Sequence, residues 1–358
     1  MTRFTRKHNR IGILTSGGDC AGLNAAIRAV TFRAIEQHGL AVVGINDGTA
    51  GLLERPVKHM DLTMKVFAGN YLRMGGTMLG TVNKGDPFAY PMPDGSIRDR
   101  SAEAIEGFRM LDLDALIGIG GDGSMRILSR LAEQGRIPFI GIPKTIDNDV
   151  ARTDFAIGYM SAVDVAVDAL DRLQPTAASH RRVMVLEVMG RDVGWIAIAA
   201  GIAGGADVVL IPEVPVSIAK VAAKLKAVSA QGRNHALVVV AEGVRLPPET
   251  DLKADCRSAG GIVADMIEKA TGAETRVTVL GHVQRGGSPN AFDRILASSL
   301  GAHAADLAAR GLSDRIVIWD RGKIIDVPLS SVAGQTRALK LDGTLVETAR
   351  RMGICLGD

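Results

Sequence analysis

The chain has 358 residues, 47% of them hydrophobic, enough apolar material for one large or two medium domains with true cores. Its 42 basic and 39 acidic residues leave a net charge of +3 spread along the chain, a balance that disfavours nucleic acid as a partner. The opening MTRFTRKHNR is basic but lacks the apolar segment of a secretory signal, and Cys20, Cys256 and Cys355 show no metal-binding spacing. Three cysteines without such spacing fit a reducing cytoplasm, so the reading is a soluble intracellular protein with no membrane partner.

Taken in chain order, one pattern recurs: a short apolar run, a glycine-rich loop, then helical spacing. IGILTSGGDCAGLNAAIRAVTFRAI (11–35) is the first instance and ALIGIGGDGSMRILSRLAEQG (115–135) the second. The run at 137–142 precedes PKTIDND, and further runs at 183–188 and 236–241 precede EVMGR and AEGVR. None of the three alternates or has room for a helix, so they predict strands buried on both faces, hence parallel. Between the last two, GWIAIAAGIAGGADVVLIP (194–212) is broken by Gly204, Gly205 and Asp207, which predicts helix, turn and strand in place of a membrane span. RVTVLGHVQRGGSPNAFDRILASSLGAHAADL (276–307) repeats the first form. After residue 309 the sequence predicts a strand, a connection and a closing helix, with no assigned chemistry. Strands alternating with helices predict a doubly wound α/β fold, with ligands outside the carboxyl ends of the strands, where all these loops fall. No repeat or linker marks a boundary, so a second domain is inferred from length.

Several loops carry groups suited to chemistry. In GGDGS (120–124), Gly121, Gly123 and Ser124 let backbone amides approach a phosphate at a helix N-terminus. Asp122 there would repel a bare phosphate and makes sense as a ligand to Mg²⁺ carried with a nucleotide; a tight turn with Asp122 capping the helix accounts for it equally well. TSGGD (15–19) exposes amides at Gly17 and Gly18 but matches no nucleotide fingerprint. In PKTIDND (143–149), Thr145, Asp147 and Asp149 fall on one side of an extended chain, where a carboxylate can take a proton from an attacking hydroxyl. An Asx-rich turn bonded to its own backbone is the alternative. Arg182, Arg191, Arg276, His282 and Arg285 flank strands. Singly each reads as a surface charge; together, at ends taken to face a ligand, they suggest an oxyanion site. The sum is a kinase acting on a phosphorylated small molecule.

TSGGDCAGLNAAIR, GGTMLGT, GGDGS, PKTIDND, EVMGR and LGHVQRGGSPNAFDR occur in the order found in 6-phosphofructokinases, and the chain resembles that family over residues 10–309. The resemblance implies two doubly wound domains with mainly parallel sheets and the active site in the cleft between them. It places donor binding in 1–158 plus 284–334 and sugar phosphate binding in 159–283 plus 335–358, in a homo-oligomer, dimer or tetramer. By the same carry-over Asp147 is the base toward the sugar's C1 hydroxyl, with Thr145 and Asp149 positioning the reacting groups. Asp122 holds Mg²⁺; Gly18 and Arg191 stabilise the transferring phosphoryl group. Met189, Gly190 and Glu242 contact the sugar, while Arg182, Arg276, His282 and Arg285 bind its 6-phosphate. In bacterial relatives the counterparts of Arg182 and Arg276 come from a neighbouring subunit. The diacylglycerol and NAD kinases share GGDG but not the other motifs. A non-catalytic sugar-phosphate-binding subunit would have lost Asp147, Asp122 or Arg191.

The donor divides the family. Pyrophosphate-dependent members carry Asp at the position of Gly123, where it obstructs the nucleotide, so Gly123 points to ATP. Lys144 is shared with the pyrophosphate enzymes and reads as a positive charge beside the donor. An arginine that contacts the donor phosphates in bacterial ATP enzymes is replaced by Asn83, and Lys84 or Lys144 is expected to compensate. The basic effector site of regulated relatives is represented by Arg28, Asp207 and Arg233, but Phe32 and Gln174 stand where two of its arginines belong, which implies altered regulation.

Overall fold

A computed structural model describes residues 9–83, 85–247 and 258–358. β1 (Arg10–Thr15) leads through TSGGD into α1 (Leu23–His38), followed by β2 (Ala41–Ile45), β3 (His59–Leu62) and a small hairpin of β4 (Tyr90–Pro91) and β5 (Ile97–Arg98). Then come α2 (Ser101–Met110), β6 (Ala115–Gly120), α3 (Asp122–Gly135), β7 (Phe139–Pro143) and α4 (Tyr159–His180). β8 (Val183–Val188), α5 (Trp195–Ala203), β9 (Val208–Leu210), α6 (Ile218–Ala230), β10 (Ala236–Ala241), α7 (Ala259–Thr271) and β11 (Thr275–Val279) follow. Beyond them lie α8 (Ala291–Ala309), β12 (Arg315–Asp320), β13 (Lys323–Pro328) and α9 (Thr344–Arg351).

The chain divides into two compact units. The first takes in the chain through Met160 together with Arg285–Arg337; the second comprises Ser161–Gln284 and Ala338–Asp358. The first unit's sheet has the order β13-β12-β7-β6-β1-β2-β3, parallel except for β3 and β13 at its edges. Its core packs Leu14, Ile45, Leu116, Phe139 and Ile316 from the strands against Met125, Leu128 and Leu131 from α3. Those helix positions recur at three-residue spacing and make one apolar face. Each fully buried Leu or Ile contributes about 1.5–3 kcal/mol over exposure. The second unit's sheet, β11-β8-β10-β9, is wholly parallel, with Val185, Val238, Val240, Val263 and Ile267 in its core. Among the described residues no helix is long and apolar enough to cross a membrane.

Two sequence expectations shift. The strand expected at 137–142 runs Phe139–Pro143, because Arg136 turns left-handed (φ 52°) and Ile137 N–H still closes α3 on Ala132 O. After residue 309 there is a hairpin in place of a single strand: Arg321 (φ 48°) and Gly322 (φ 79°) supply the two positive-φ positions of a tight two-residue turn between β12 and β13. The helix–turn–strand reading of 194–212 holds, as α5 and β9.

Candidate active site

In the first unit the strand order reverses between β1, whose successor β2 lies to one side, and β6, which lies to the other. A crevice at the carboxyl ends of such a pair is where open α/β sheets bind ligands. TSGGD leaves β1 and GGDGS leaves β6 at that point, and PKTIDND leaves β7 beside them.

The TSGGD loop is held from behind by its carbonyls. Lys144 Nζ donates to Ser16 O at 3.1 Å and also to Gly18 O; Thr81 Oγ1 donates to Gly17 O at 2.6 Å; Arg285 Nη1 donates to Asp19 O at 3.1 Å. With four consecutive carbonyls so committed, the amides of Gly17 and Gly18 have no protein acceptor among the described residues. They form a small nest of donors suited to a phosphate. Gly17 sits at φ 79°, a conformation that favours glycine, whereas a Cβ on Gly18 would meet only the movable end of the Arg285 side chain, 2.6 Å from its Nη1. GGTMLGT is the loop's outer brace: Thr15 Oγ1 donates to Gly80 O, and Asn24 bonds Met74 O, Gly75 O and Met78 N.

Lys144 therefore departs from expectation. Its side chain, expected to face the donor phosphates, is turned inward with the residue 4% exposed, because the Ser16 and Gly18 carbonyls lie behind the loop. Burial holds its ammonium below the ordinary lysine range. Cys20 lies buried nearby with its thiol bonded to Ile157 O at 3.4 Å, and burial pushes its pKa up to about 12, so it is an inert packing group.

GGDGS opens α3, but its cap is Gly121 with no side-chain bond, so Asp122 is not the capping residue. Asp122 Oδ1 accepts from Gly334 N–H at 2.7 Å, which fixes the carboxylate in the first turn. Among the described residues no group of three or more His, Cys, Asp or Glu side chains could hold a metal. A single carboxylate beside amides suited to a phosphate is a poor resident metal site but fits a hard divalent cation carried by a ligand's own phosphates. Ser124 packs under Gly17, and nothing stands within 4 Å of a Cβ placed on Gly123. Asn83 is exposed; Lys84 lies outside the described residues.

PKTIDND forms a turn, not an extended strand, with Asn148 at φ 54°. Burial still alternates: Ile146, Asn148 and Val150 point inward while Thr145, Asp147 and Asp149 are half-buried on the other side. Asp147 N–H donates to Thr145 Oγ1 at 3.2 Å. The Asn148 side chain closes the turn, donating to Asp154 O at 3.1 Å and accepting from Ala156 N–H at 2.9 Å. The segment is thus a turn closed by the amide of Asn148, with Thr145, Asp147 and Asp149 on its less buried side.

In the second unit EVMGR and AEGVR follow the adjacent strands β8 and β10. Glu242 N–H donates to Val188 O and Gly243 N–H to Gly190 O, and a Cβ on Gly243 would fall 1.7 Å from Arg191 O. Gly190, at φ 134°, allows that crossing. Met189 N–H donates to Gln284 Oε1 at 2.6 Å, and Gln284 Nε2 to Ala162 O at 3.2 Å, so buried Gln284 anchors the loop. The Arg191 side chain is 81% exposed and pairs with Asp192 at 3.0 Å; His282 is exposed in the turn after β11.

The basic cluster expected at ligand-facing ends divides. β8 and β11 run parallel with Val183 opposite Thr275, so Arg182 and Arg276 stand at the amino ends of their strands. Both pair with Glu274, at 2.9 Å for Arg182, and the Arg182 bond leads in holding that carboxyl below its ordinary range. Met189, Gly190, Arg191 and Glu242 lie at the carboxyl ends, about 20 Å away over six residues. A residue that opens a strand is at the wrong end of the sheet for a ligand bound beyond its close. Arg285 belongs to the first unit, over Gly18. Of the effector positions, Arg28 stacks on Phe32 with 4.0 Å to the ring centre, and Arg233 pairs with Asp207.

The model of the family described as phosphofructokinase matches residues 10–308. The chain belongs to the phosphofructokinase family. It is 54% identical over 356 residues to ATP-dependent 6-phosphofructokinase 1 of Synechocystis sp., covering 98% of each chain. It is 46% identical to the ATP-dependent 6-phosphofructokinase of Chloroflexus aurantiacus, covering 98% of this chain and 99% of that one. The crystal structure of Pichia pastoris phosphofructokinase in the T-state matches with a TM-score of 0.79 and 32% identity; the match covers 93% of this chain and only 36% of that longer one. A pyrophosphate-dependent phosphofructokinase from Nitrosospira multiformis, 22% identical, has a TM-score of 0.81, a likeness of fold.

Within this family fold, sequence reasoning missed Asn24, Thr81, Gln284 and the segment 334–337. The first three lie inside the quoted motifs, and a polar residue one to three positions from a glycine was their only signal. The last had none.

Proposed function

We infer that the chain is an ATP-dependent 6-phosphofructokinase, transferring the γ-phosphoryl group of ATP to the C1 hydroxyl of fructose 6-phosphate. The observation that carries this is the near-full-length identity, 46–54%, to relatives bearing that name. The geometry of the first unit supports it, with phosphate-binding amides and a half-buried acid pair at one topological switch point.

In this reading donor binding falls to the first unit, through the Gly18 amide and the residues of GGDGS, with Asn83 at its margin. Asp122 holds Mg²⁺, whose bound charge lowers the electron density on the donor phosphates. Asp147 takes the proton from the C1 hydroxyl as the new O–P bond forms and the bond from the γ-phosphorus to the ADP oxygen breaks. Thr145 and Asp149 orient that hydroxyl. The second unit supplies Met189, Gly190, Glu242 and His282 to the sugar phosphate, and Arg191 to the charge developing on the phosphoryl group. Arg285 lies over the donor loop and serves it as well as the sugar phosphate. Arg182 and Arg276, at the far end of their sheet, act on a neighbouring copy in a cytoplasmic homo-oligomer. The pyrophosphate alternative rested chiefly on Lys144, and the inward turn of that side chain weakens it. Phosphorus NMR of fructose 6-phosphate incubated with MgATP is expected to show a new C1 phosphate and ADP; no product, or one at another position, would contradict the reading.

A further inference from the structure

The segment after β13 is bonded to both acidic loops of the first unit. Gly334 N–H donates to Asp122 Oδ1 at 2.7 Å, Thr336 bridges Val150 in antiparallel fashion, and Arg337 N–H donates to Asp149 O at 2.7 Å. The Arg337 guanidinium reaches further into the PKTIDND turn. Its Nη1 donates to Asp154 O at 2.9 Å and lies 3.5 Å from Asn148 O. Asp154 O is the carbonyl that the Asn148 side chain also bonds, at 3.1 Å. Arg337 thus grips the main chain at Asn148, Asp149 and Asp154, beginning at the left-handed residue that separates Asp147 from Asp149. Arg337 is half-buried, and its fixed donors over these converging carbonyls restrict the peptide planes between Asn148 and Val150, and through them the turn that carries the two carboxylates.

We propose that Arg337 is a positioning residue for phosphoryl transfer: it fixes the turn that aims Asp147 and Asp149. The proposal rests on the role of Asp147 given above. In a preorganised site a displacement of about 1 Å costs on the order of a hundredfold in rate, so the role should appear in kcat.

The test uses the full chain with fructose 6-phosphate and MgATP. Arg337→Met is expected to lower kcat by about ten- to a hundredfold, with both KM values changed less than about threefold and far-UV circular dichroism unchanged. Arg337→Lys should recover part of the loss, and guanidinium ion well below denaturing concentration should accelerate Arg337→Ala saturably. Combined with Asp147→Asn, Arg337→Met should add little, because no base remains to be aimed. An unchanged kcat overturns the proposal. So does a loss with no recovery by lysine or guanidinium that multiplies fully with Asp147→Asn, since that describes a general structural defect. If Asp147→Asn alone keeps its rate, the assignment of the base falls whatever Arg337 does.

Discussion

Lys144 Nζ lies 3.1 Å from the carbonyl oxygen of Ser16, with Gly18 O as its second acceptor, so a lysine expected to face the donor instead holds the TSGGD loop from behind. Charge-assisted bonds to a carbonyl contribute about 1.5–3 kcal/mol each, enough to set the loop's shape. Lys144→Met keeps the length and removes the donors. It should lower kcat about a hundredfold or more, as loss of an oxyanion donor does, with little change in KM for fructose 6-phosphate. A direct donor contact would instead raise KM for ATP at nearly constant kcat, and steady-state kinetics separates the two.

The positions of Arg182 and Arg276 lead to a complementation test. Asp147→Asn and Arg276→Ala chains should each be nearly inactive alone at low fructose 6-phosphate. Equal mixtures, unfolded and refolded together, should recover about a quarter of wild-type activity, since half the pairs of a random dimer are hybrid and each holds one intact site. No recovery in a mixed oligomer confirmed by mass would mean that Arg276 serves its own chain or none.

Asp326 ties the β12–β13 hairpin to α8. It pairs with Arg315 at 2.6 Å and with His303 at 3.2 Å. Burial pushes its carboxyl up, but the bonds from Arg315 and His303 more than offset this and hold it below the ordinary value of 3.8. Below that value the unfolded chain binds the proton first, so this contribution is complete above pH 3.8 and fades as pH falls through the lower folded value. Asp326→Asn should lower the Tm by about 2–4 °C at pH 7, and the gap from wild type should narrow below pH 3.8. A gap that stays constant to pH 3 in calorimetry would contradict the assignment.

Much of this architecture was legible in the chain itself. The runs at 183–188 and 236–241 are β8 and β10 residue for residue, because short β-branched-rich apolar runs between turn signals, broken only by Glu187 in the first, are too short for a helix. The loops fall at carboxyl ends for the same reason. What stayed hidden depends on direction. Nothing local says that Lys144 points behind a loop over a hundred residues away, or that Arg276 joins Arg182 on Glu274 at the amino ends of two neighbouring strands. Nor could spacing bring Arg337 to Asn148.

Gly123 provides a clean probe of the donor. The space at its Cβ is open, and an aspartate in the first turn of α3 suits the helix dipole, so Gly123→Asp should fold with a Tm within about 2 °C of wild type. Its ATP turnover should nevertheless fall at least about a hundredfold, a loss of about 3 kcal/mol in transition-state binding. Undiminished ATP turnover would show that the side chain does not meet the nucleotide.

The most direct measurement is the donor comparison on the wild-type chain: kcat/KM at saturating fructose 6-phosphate with MgATP and with magnesium pyrophosphate. ATP should support turnover at kcat/KM of about 10⁴ M⁻¹s⁻¹ or more, with pyrophosphate at least about a hundredfold poorer. Equal or faster turnover with pyrophosphate, or none with either donor, would contradict the account.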